Sequence, residues 1–388
     1  MTALLTLQLS HYRSYRQVEV EAGGASIALY GPNGAGKTNL LEAISMLSPG
    51  RGLRRAGTEE LIRQPDRLGW QVRAEVETPS GVCEIVTRAE GAEATRRSVT
   101  IDSKSATQTG LGDVVRMVWL TPAMDRLWTD AAGERRRFLD RLTLGFDPRH
   151  GETSIAYEKA MRGRNRLLKE PGWDAAWMAS LEGQMARAGA RIARARAEAL
   201  ERLILAQING ESGPKSLFPK ADLAILGDME TRFRQVIRTS SAPADDLDLT
   251  EIEEAAELAR RLAESRGRDA AAGRSLDGPH RSDLEAVYAA KDMPARSCST
   301  GEQKALLISL CLANAKALHD MTGSSPILLL DEVAAHLDAD RRQALYTEIE
   351  KLRCQAWMTG TGPDLFAGSN ARCFAVHDDN GMSILEAA

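Results

Sequence analysis

The amino-acid sequence predicts an α/β fold: a core with a glycine-rich loop between strand and helix, a β-rich subdomain, and a mostly helical inserted lobe. Three observations point there. Gly31-Pro32-Asn33-Gly34-Ala35-Gly36-Lys37-Thr38 fits the pattern G-x-x-x-x-G-K-[ST] at every fixed position. Far downstream, Pro326-Ile327-Leu328-Leu329-Leu330 is a continuous apolar run ending in Asp331 and Glu332, which is how a buried parallel strand reads. Between them, about Gly133 to Ile208 is rich in Ala, Arg, Leu and Glu, residues that favour helix.

In chain order, Leu5, Leu7 and Leu9 alternate with polar residues, and Val18 and Val20 do so again after the Tyr12-to-Arg16 link. Both patterns predict strands. Ser26 to Tyr30 is a short buried strand, and Thr38 to Ile44 opens a helix with apolar residues on one side. A Gly- and Arg-rich loop, Ser48 to Thr58, follows. Trp70 to Thr78, Val82 to Ala89 and Ser98 to Asp102 read as strands between turn signals, and Met117 to Leu120 as another, closed by Thr121-Pro122. The helical stretch breaks at Pro171-Gly172. Residues 209–248 are mixed, Glu251 to Arg266 is a charged helix, and β character returns from Asp277. The predicted division is a core built from residues 1–122 and 276–388, with 123–275 inserted.

Composition narrows the function. The 388 residues carry a formal net charge of −4, so any nucleic-acid contact must come from a local patch. Aromatics are 5 %, too sparse for a surface built on base stacking. Cys83, Cys298, Cys311, Cys354 and Cys373 are scattered and contain no C-x-x-C pair, which argues against a disulfide framework or zinc site. The first 16 residues lack a signal-peptide apolar run, and Ile327 to Leu330 is far too short to span a bilayer. A soluble, cytoplasmic protein without membrane contact is the expectation.

The chemistry centres on the two ends of the core. Gly31, Asn33, Gly34 and Gly36 let backbone amides wrap phosphates, aided by the dipole of the helix opening at Lys37, Thr38 and Asn39. Lys37 is placed to reach the outer phosphates of a nucleoside triphosphate, and Thr38 and Asp331 to hold Mg²⁺ through hard oxygen atoms. Glu332 is placed to deprotonate an attacking water. Ser299 and Glu302 have capping-box spacing before the apolar helix Ala305 to Leu318. The same Gly301-opened helix start also suits a second phosphate. Its order before Asp331-Glu332 and Leu337-Asp338 favours that second reading, with Asp338 at the nucleotide too. Arg51 and Arg54 read equally well as phosphate contacts and as a solvated loop. Lys159, Arg162, Arg166 and Lys169 form one helical stripe of positive charge, and Arg187, Arg191 and Arg194 another. Such stripes are most often solvated faces, and they are also candidate contacts for DNA phosphates.

Taken together, these motifs resemble the ATPase heads of the ABC and SMC superfamily, and within it the RecF family. The resemblance covers essentially the whole chain. It rests also on Leu7 to Tyr15, Asn39 to Ile44, Gly50 to Arg54, and Trp119 to Pro122 with Glu134 to Asp140. Tyr157, Arg164-Asn165, Leu168-Lys169, Gly278 to Asp283 and Ser299 to Lys304 complete it. Three features depart from these patterns. No switch histidine stands in Ala356 to Thr361, no glutamine in Met117 to Trp119, and Ala123 replaces an acidic residue.

The resemblance implies an ABC-type head with an antiparallel β-subdomain, and ATP sandwiched between one copy's loop and Ser299 and Gly301 of another. It further implies an ATP-dependent homodimer on double-stranded DNA near gap junctions, weak DNA-stimulated ATP hydrolysis, RecR and RecO as partners, and support of RecA loading in repair, replication restart and the SOS response. Competing readings are an ATPase subunit of a transporter, an SMC-like structural DNA ATPase, or a degenerate site that binds nucleotide without turnover. The long insertion and absent histidine argue against the first, and the lack of sustained heptads against the second.

Overall fold

The computed structural model describes residues 1–64, 66–208 and 217–387. The hairpin β1 (Ala3–Tyr12) and β2 (Tyr15–Glu21) precedes β3 (Ile27–Tyr30), the glycine loop and α1 (Lys37–Ser45). Then come β4 (Gly69–Thr78), β5 (Gly81–Glu90), β6 (Ser98–Ile101), β7 (Lys104–Ala106), the single turn α2 (Leu111–Val114) and β8 (Met117–Leu120). A helical run follows: α3 (Ala132–Phe146), α4 (His150–Leu167) and α5 (Ala175–Ile208). After it stand β9 (Ala221–Leu226), α6 (Asp228–Thr239), α7 (Pro243–Glu264), α8 (Arg266–Ala272), β10 (Asp283–Tyr288) and β11 (Met293–Pro294). The chain closes with α9 (Thr300–Thr322), β12 (Ile327–Leu330), α10 (Ala339–Lys351), β13 (Ala356–Gly360), β14 (Arg372–Asp379) and β15 (Met382–Ala387).

Two compact units emerge. The first comprises Met1–Arg126, Ala206–Lys220 and Ser299–Ala388, and the second Leu127–Leu205 and Ala221–Cys298. This shifts the expected division: residues 123–126, 206–208 and 217–220 group with the first unit rather than the insertion, and residues 276–298 belong to the second unit rather than the core. For residues 276–298 hydrogen bonding is the reason. β10 pairs antiparallel with β9 and with β11, and Arg135 forks both carboxylate oxygens of Asp283 at 2.8 and 2.7 Å.

The first unit holds two six-stranded sheets. One runs β2-β1-β4-β5-β6-β7, with every neighbour antiparallel. In the other, β15-β14-β3-β13-β12-β8, all pairings but that of β15 are parallel. All four residues of β12 are buried, as its unbroken apolar sequence requires. The alternation expected of Leu5, Leu7 and Leu9 fails at its first member. A register shift between Leu4 and Thr6 turns the phase, so Leu4, Leu7 and Leu9 are buried and Leu5 only partly.

The second unit packs Tyr157, Met185, Phe233, Leu258 and Leu262 into one core with small residues of α5. Its sequence boxes turn out to be internal fasteners. Arg164, fully buried, donates to Glu182 (3.1 Å), Asp269 (2.7 Å), Ser275 Oγ (2.8 Å) and the Leu262 carbonyl (2.7 Å). Asn165 Oδ1 accepts from the amide and hydroxyl of Ser275, both at 2.8 Å. Arg164→Ala leaves the Asp269 carboxylate buried without its cation, and is expected to cost about 3–5 kcal/mol in urea unfolding. At 34 residues, α5 is about 50 Å long, and no helix among the described residues is long and apolar enough to cross a membrane.

Candidate functional site

Strand order builds this site. β3, β13 and β12 lie side by side and parallel, with Leu29 opposite Thr359 and Leu330 opposite Met358. Their carboxyl ends therefore open on one edge, where ligands of α/β sheets bind. The glycine loop leaves β3 there, Asp331 and Glu332 leave β12, and Thr359 sits near the end of β13 between them.

The loop needs its glycines for two different reasons. Gly31, Gly34 and Gly36 have φ of 153°, 86° and 108°, which L side chains rarely adopt. At Gly31 and Gly36 space is also missing: a Cβ would lie 2.0 Å from the Val376 carbonyl oxygen and 2.1 Å from Ser383 Oγ. Around Gly34 there is room, so only its backbone angle demands glycine. No side chain caps α1 at Gly36, which leaves its first-turn amides available to an anion.

Lys37 is buried, and its ammonium donates to the carbonyls of Gly31 (2.6 Å) and Pro32 (2.8 Å). Burial pushes its pKa down, against the charges of Glu332 and Asp331, which favour the cation. The loop thus holds a desolvated positive charge beside its own amides.

Opposite it, Asp331 Oδ1 accepts the Thr38 hydroxyl and the Thr359 hydroxyl, each at 2.8 Å. Burial raises the Asp331 carboxyl, and both hydroxyl bonds work against that rise. Thr38 and Asp331, in hydrogen-bond contact, are a hard-oxygen pair that fits Mg²⁺. Among the described residues no group of three His, Cys, Asp or Glu could hold a metal, and Mg²⁺ is commonly bound by one or two carboxylates together with water and substrate phosphates. Glu332 stands at φ 54°, with its amide donating 2.8 Å to Thr359 Oγ1. A non-glycine residue in this region is costly unless its surroundings fix it.

Thr359 is the functional residue that sequence reasoning missed. The stretch Ala356 to Thr361 drew notice for an absent histidine, although a lone threonine near the end of the apolar strand Ala356-Trp357-Met358 was the available signal. It is fully buried and ties both carboxylate residues to one hydroxyl. Around the loop, Asn39 Nδ2 donates to Ser14 Oγ (2.8 Å) and Arg54 donates to Asn39 Oδ1 (2.9 Å). Arg51 is exposed. Arg13 grips fully buried Glu42 of α1 with two bonds of 2.9 and 3.0 Å.

The remaining expected nucleotide residues sit on exposed helix starts. Ser299 caps α9 in a reciprocal capping box with Glu302, and Ser299, Thr300 and Gly301 are exposed. A Cβ on Gly301 would meet nothing within 4 Å. Asp338 caps α10 through the Arg341 amide at 2.8 Å and is exposed as well. Both caps bond within their own helix starts rather than to the chain's own glycine loop. Lys304 of α9 pairs with Asp125 at 3.2 Å, so a carboxylate two residues beyond Ala123 reaches that helix.

The two basic stripes fare differently. Lys159, Arg162, Arg166 and Lys169 are all exposed, and among the described residues their one ion pair is a long contact of 3.8 Å between Arg162 and Glu158. On α5 the charge is answered by α7. Arg191 pairs with Glu251 (3.2 Å), and Arg194 with Glu198, Asp248 and Glu251 (3.0, 2.6 and 3.1 Å). Only Arg187 of that stripe stays exposed without an ion pair among the described residues.

Residues 3–383 match the family described as RecF/RecN/SMC N terminal domain. A protein of Mesorhizobium japonicum named DNA replication and repair protein RecF is 47 % identical over 384 residues, covering 98 % of this chain and 97 % of the relative. The protein of that name from Brucella suis biovar 1 is 46 % identical over 363 residues, covering 93 % and 90 %. Among solved structures, the recombination mediator protein RecF–ATP of the RecFOR pathway superposes with TM-score 0.77 at 24 % identity, covering 100 % of this chain and 99 % of that one. The Smc head domain of Pyrococcus furiosus, bound to the C-terminal domain of ScpA, gives TM-score 0.51 at 16 % identity, covering 100 % and 96 %. These likenesses show the fold, a mixed α/β head with a helical lobe. On the family match and the relatives' identity along nearly its full length, the chain belongs to the RecF/RecN/SMC N-terminal-domain family and, within it, to the RecF proteins.

Proposed function

We propose that the chain is an ATP-gated DNA-binding protein of replication and repair, in which nucleotide closes a symmetric dimer around duplex DNA near single-strand gaps. One observation carries this reading. A complete phosphate loop and an exposed signature helix start, Ser299 to Gly301, occupy the same compact unit. Each is an anion-binding helix end, and a second copy turned head to tail gives each loop a partner in a closed two-fold arrangement.

Each residue then has a task. The amides of Gly34 to Thr38 and the Lys37 ammonium bind the outer phosphates of ATP, and Asn39 lies at the rim. Ser299 and Gly301 of the second copy reach the terminal phosphate, with Asp338 at its side. Mg²⁺, held by Thr38 and Asp331, would neutralise phosphate charge. Glu332 orients and deprotonates the attacking water, and Thr359 fixes both carboxylate residues from behind. Because both copies hold the terminal phosphate, its departure removes interactions present only in the closed state, and the dimer opens. Turnover is slow and DNA-stimulated, as befits a switch. RecR and RecO are the expected partners in supporting RecA loading.

DNA contact falls to the α4 stripe rather than the neutralised α5 stripe. Replacing Lys159, Arg166 and Lys169 with Gln is expected to weaken duplex binding on all sequences alike. The slope of log K against log salt should flatten by about 0.9 for each DNA phosphate that the variant no longer neutralises. Fluorescence anisotropy on gapped duplex, with and without ATP, tests this. Binding by the triple variant at wild-type strength and wild-type slope would remove α4 from the interface.

A further inference from the structure

On the second unit, a solvent-open cavity of about 250 Å³ is lined by Arg136, Arg137, Arg162, Tyr157, Arg196 and His280 among others. Most of its charge is already answered. Arg196 forks Asp140 at 2.8 and 3.0 Å, Arg137 pairs with Glu134, and Arg162 lies 3.8 Å from Glu158. Arg136 is the exception. Among the described residues its guanidinium makes one hydrogen bond, from Nη1 to the Ser282 carbonyl at 2.7 Å, and no ion pair. The nearby carboxylates are engaged elsewhere, Asp283 by Arg135 and Asp140 by Arg196 and His150. Burial, reinforced by the charge of Arg196, lowers the pKa of Arg136.

His280 and Tyr157, also at the cavity, have their donors engaged within the chain. His280 Nε2 lies 3.1 Å from the Ser275 carbonyl, which fixes the proton there, so Nδ1 accepts the Tyr157 hydroxyl at 2.7 Å. What remains is a half-buried planar cation with unused N–H groups, beside Arg162 of the exposed α4 stripe. A fork of this kind matches two oxygens of a singly charged phosphate diester.

We infer that this cavity seats one phosphodiester of the nucleic-acid backbone, with Arg136 as its anchor and the α4 stripe tracking adjacent phosphates. The seat rests on the reading of the chain as a DNA binder. Arg136→Gln and Arg136→Lys, each first checked for wild-type melting temperature and ATP-dependent self-association, are compared with wild type on duplex DNA across a salt series. Arg136→Gln should flatten the slope of log K against log salt by about 0.9, which is roughly eightfold weaker binding at 0.1 M salt. Arg136→Lys should recover the slope. Wild-type affinity and slope in the Gln variant would overturn the seat, and so would weaker binding at an unchanged slope, which marks a purely structural role. Inorganic phosphate that raises the melting temperature of wild type but not of Arg136→Gln, with DNA slopes equal, would reassign the cavity to free anions and overturn it too. The Lys159, Arg166 and Lys169 triple variant separates the two readings. If only that variant weakens binding, the seat fails and the DNA reading stands; if wild type binds no duplex, both fail.

Discussion

Glu332→Gln is expected to lower ATP turnover at least about 100-fold while leaving ATP affinity within a few-fold of wild type. The magnitude is that of a lost general base. Selectivity follows from geometry: the Glu332 backbone, through its amide bond to Thr359 Oγ1, is held independently of the carboxylate. Glutamine keeps the shape and removes the base. Dimers formed with ATP should then persist long after wild-type dimers have opened, because the phosphate clasped by both copies stays in place. Single-turnover kinetics and sedimentation after ATP removal read the two effects separately. If the variant turns over at the wild-type rate, another group activates the water.

Lys37→Met acts one step earlier. It removes a desolvated ammonium that bridges the Gly31 and Pro32 carbonyls at 2.6 and 2.8 Å and that, in the proposed function, serves ATP phosphates instead. Charge-assisted hydrogen bonds are worth about 1.5–3 kcal/mol, so ATP affinity by calorimetry should fall roughly 10- to 100-fold. At equal ATP the variant should stay monomeric and bind DNA only as its isolated α4 stripe allows.

How much of this was legible in the sequence depends on the range of the interactions involved. The glycine loop, the buried strand before Asp331 and the Ser299 capping box are local patterns, and each stands in the fold as its spacing predicts. Partners distant in sequence were not legible. Thr359 meets Asp331 only because β13 lies beside β12, a pairing that no spacing encodes. The neutralised arginines of α5 make the same point: besides the local Glu198, Arg191 and Arg194 find carboxylates on α7, over 50 residues away. A helical stripe records which residues share a face, not what packs against it. Likewise residues 276–298 fell on the wrong side of a boundary because their β character resembled the core, whereas their pairing is with β9. The Gly278 to Asp283 and Glu134 to Asp140 boxes read as functional signatures, yet much of their chemistry is internal: Arg135 to Asp283, Arg196 to Asp140, and Tyr157 to His280.

Sedimentation velocity of wild type and Ser299→Arg, each with and without ATP, bears most directly on the shared-nucleotide dimer. Ser299 is exposed and, among the described residues, its side chain bonds only to its own helix start, so a bulky replacement leaves the chain's own loop able to bind ATP. Wild type should pass from monomer to dimer on adding ATP, whereas Ser299→Arg should bind ATP and remain a monomer. A Ser299→Arg protein that dimerises with ATP as readily as wild type would show that the signature helix of one copy does not hold the phosphate of another.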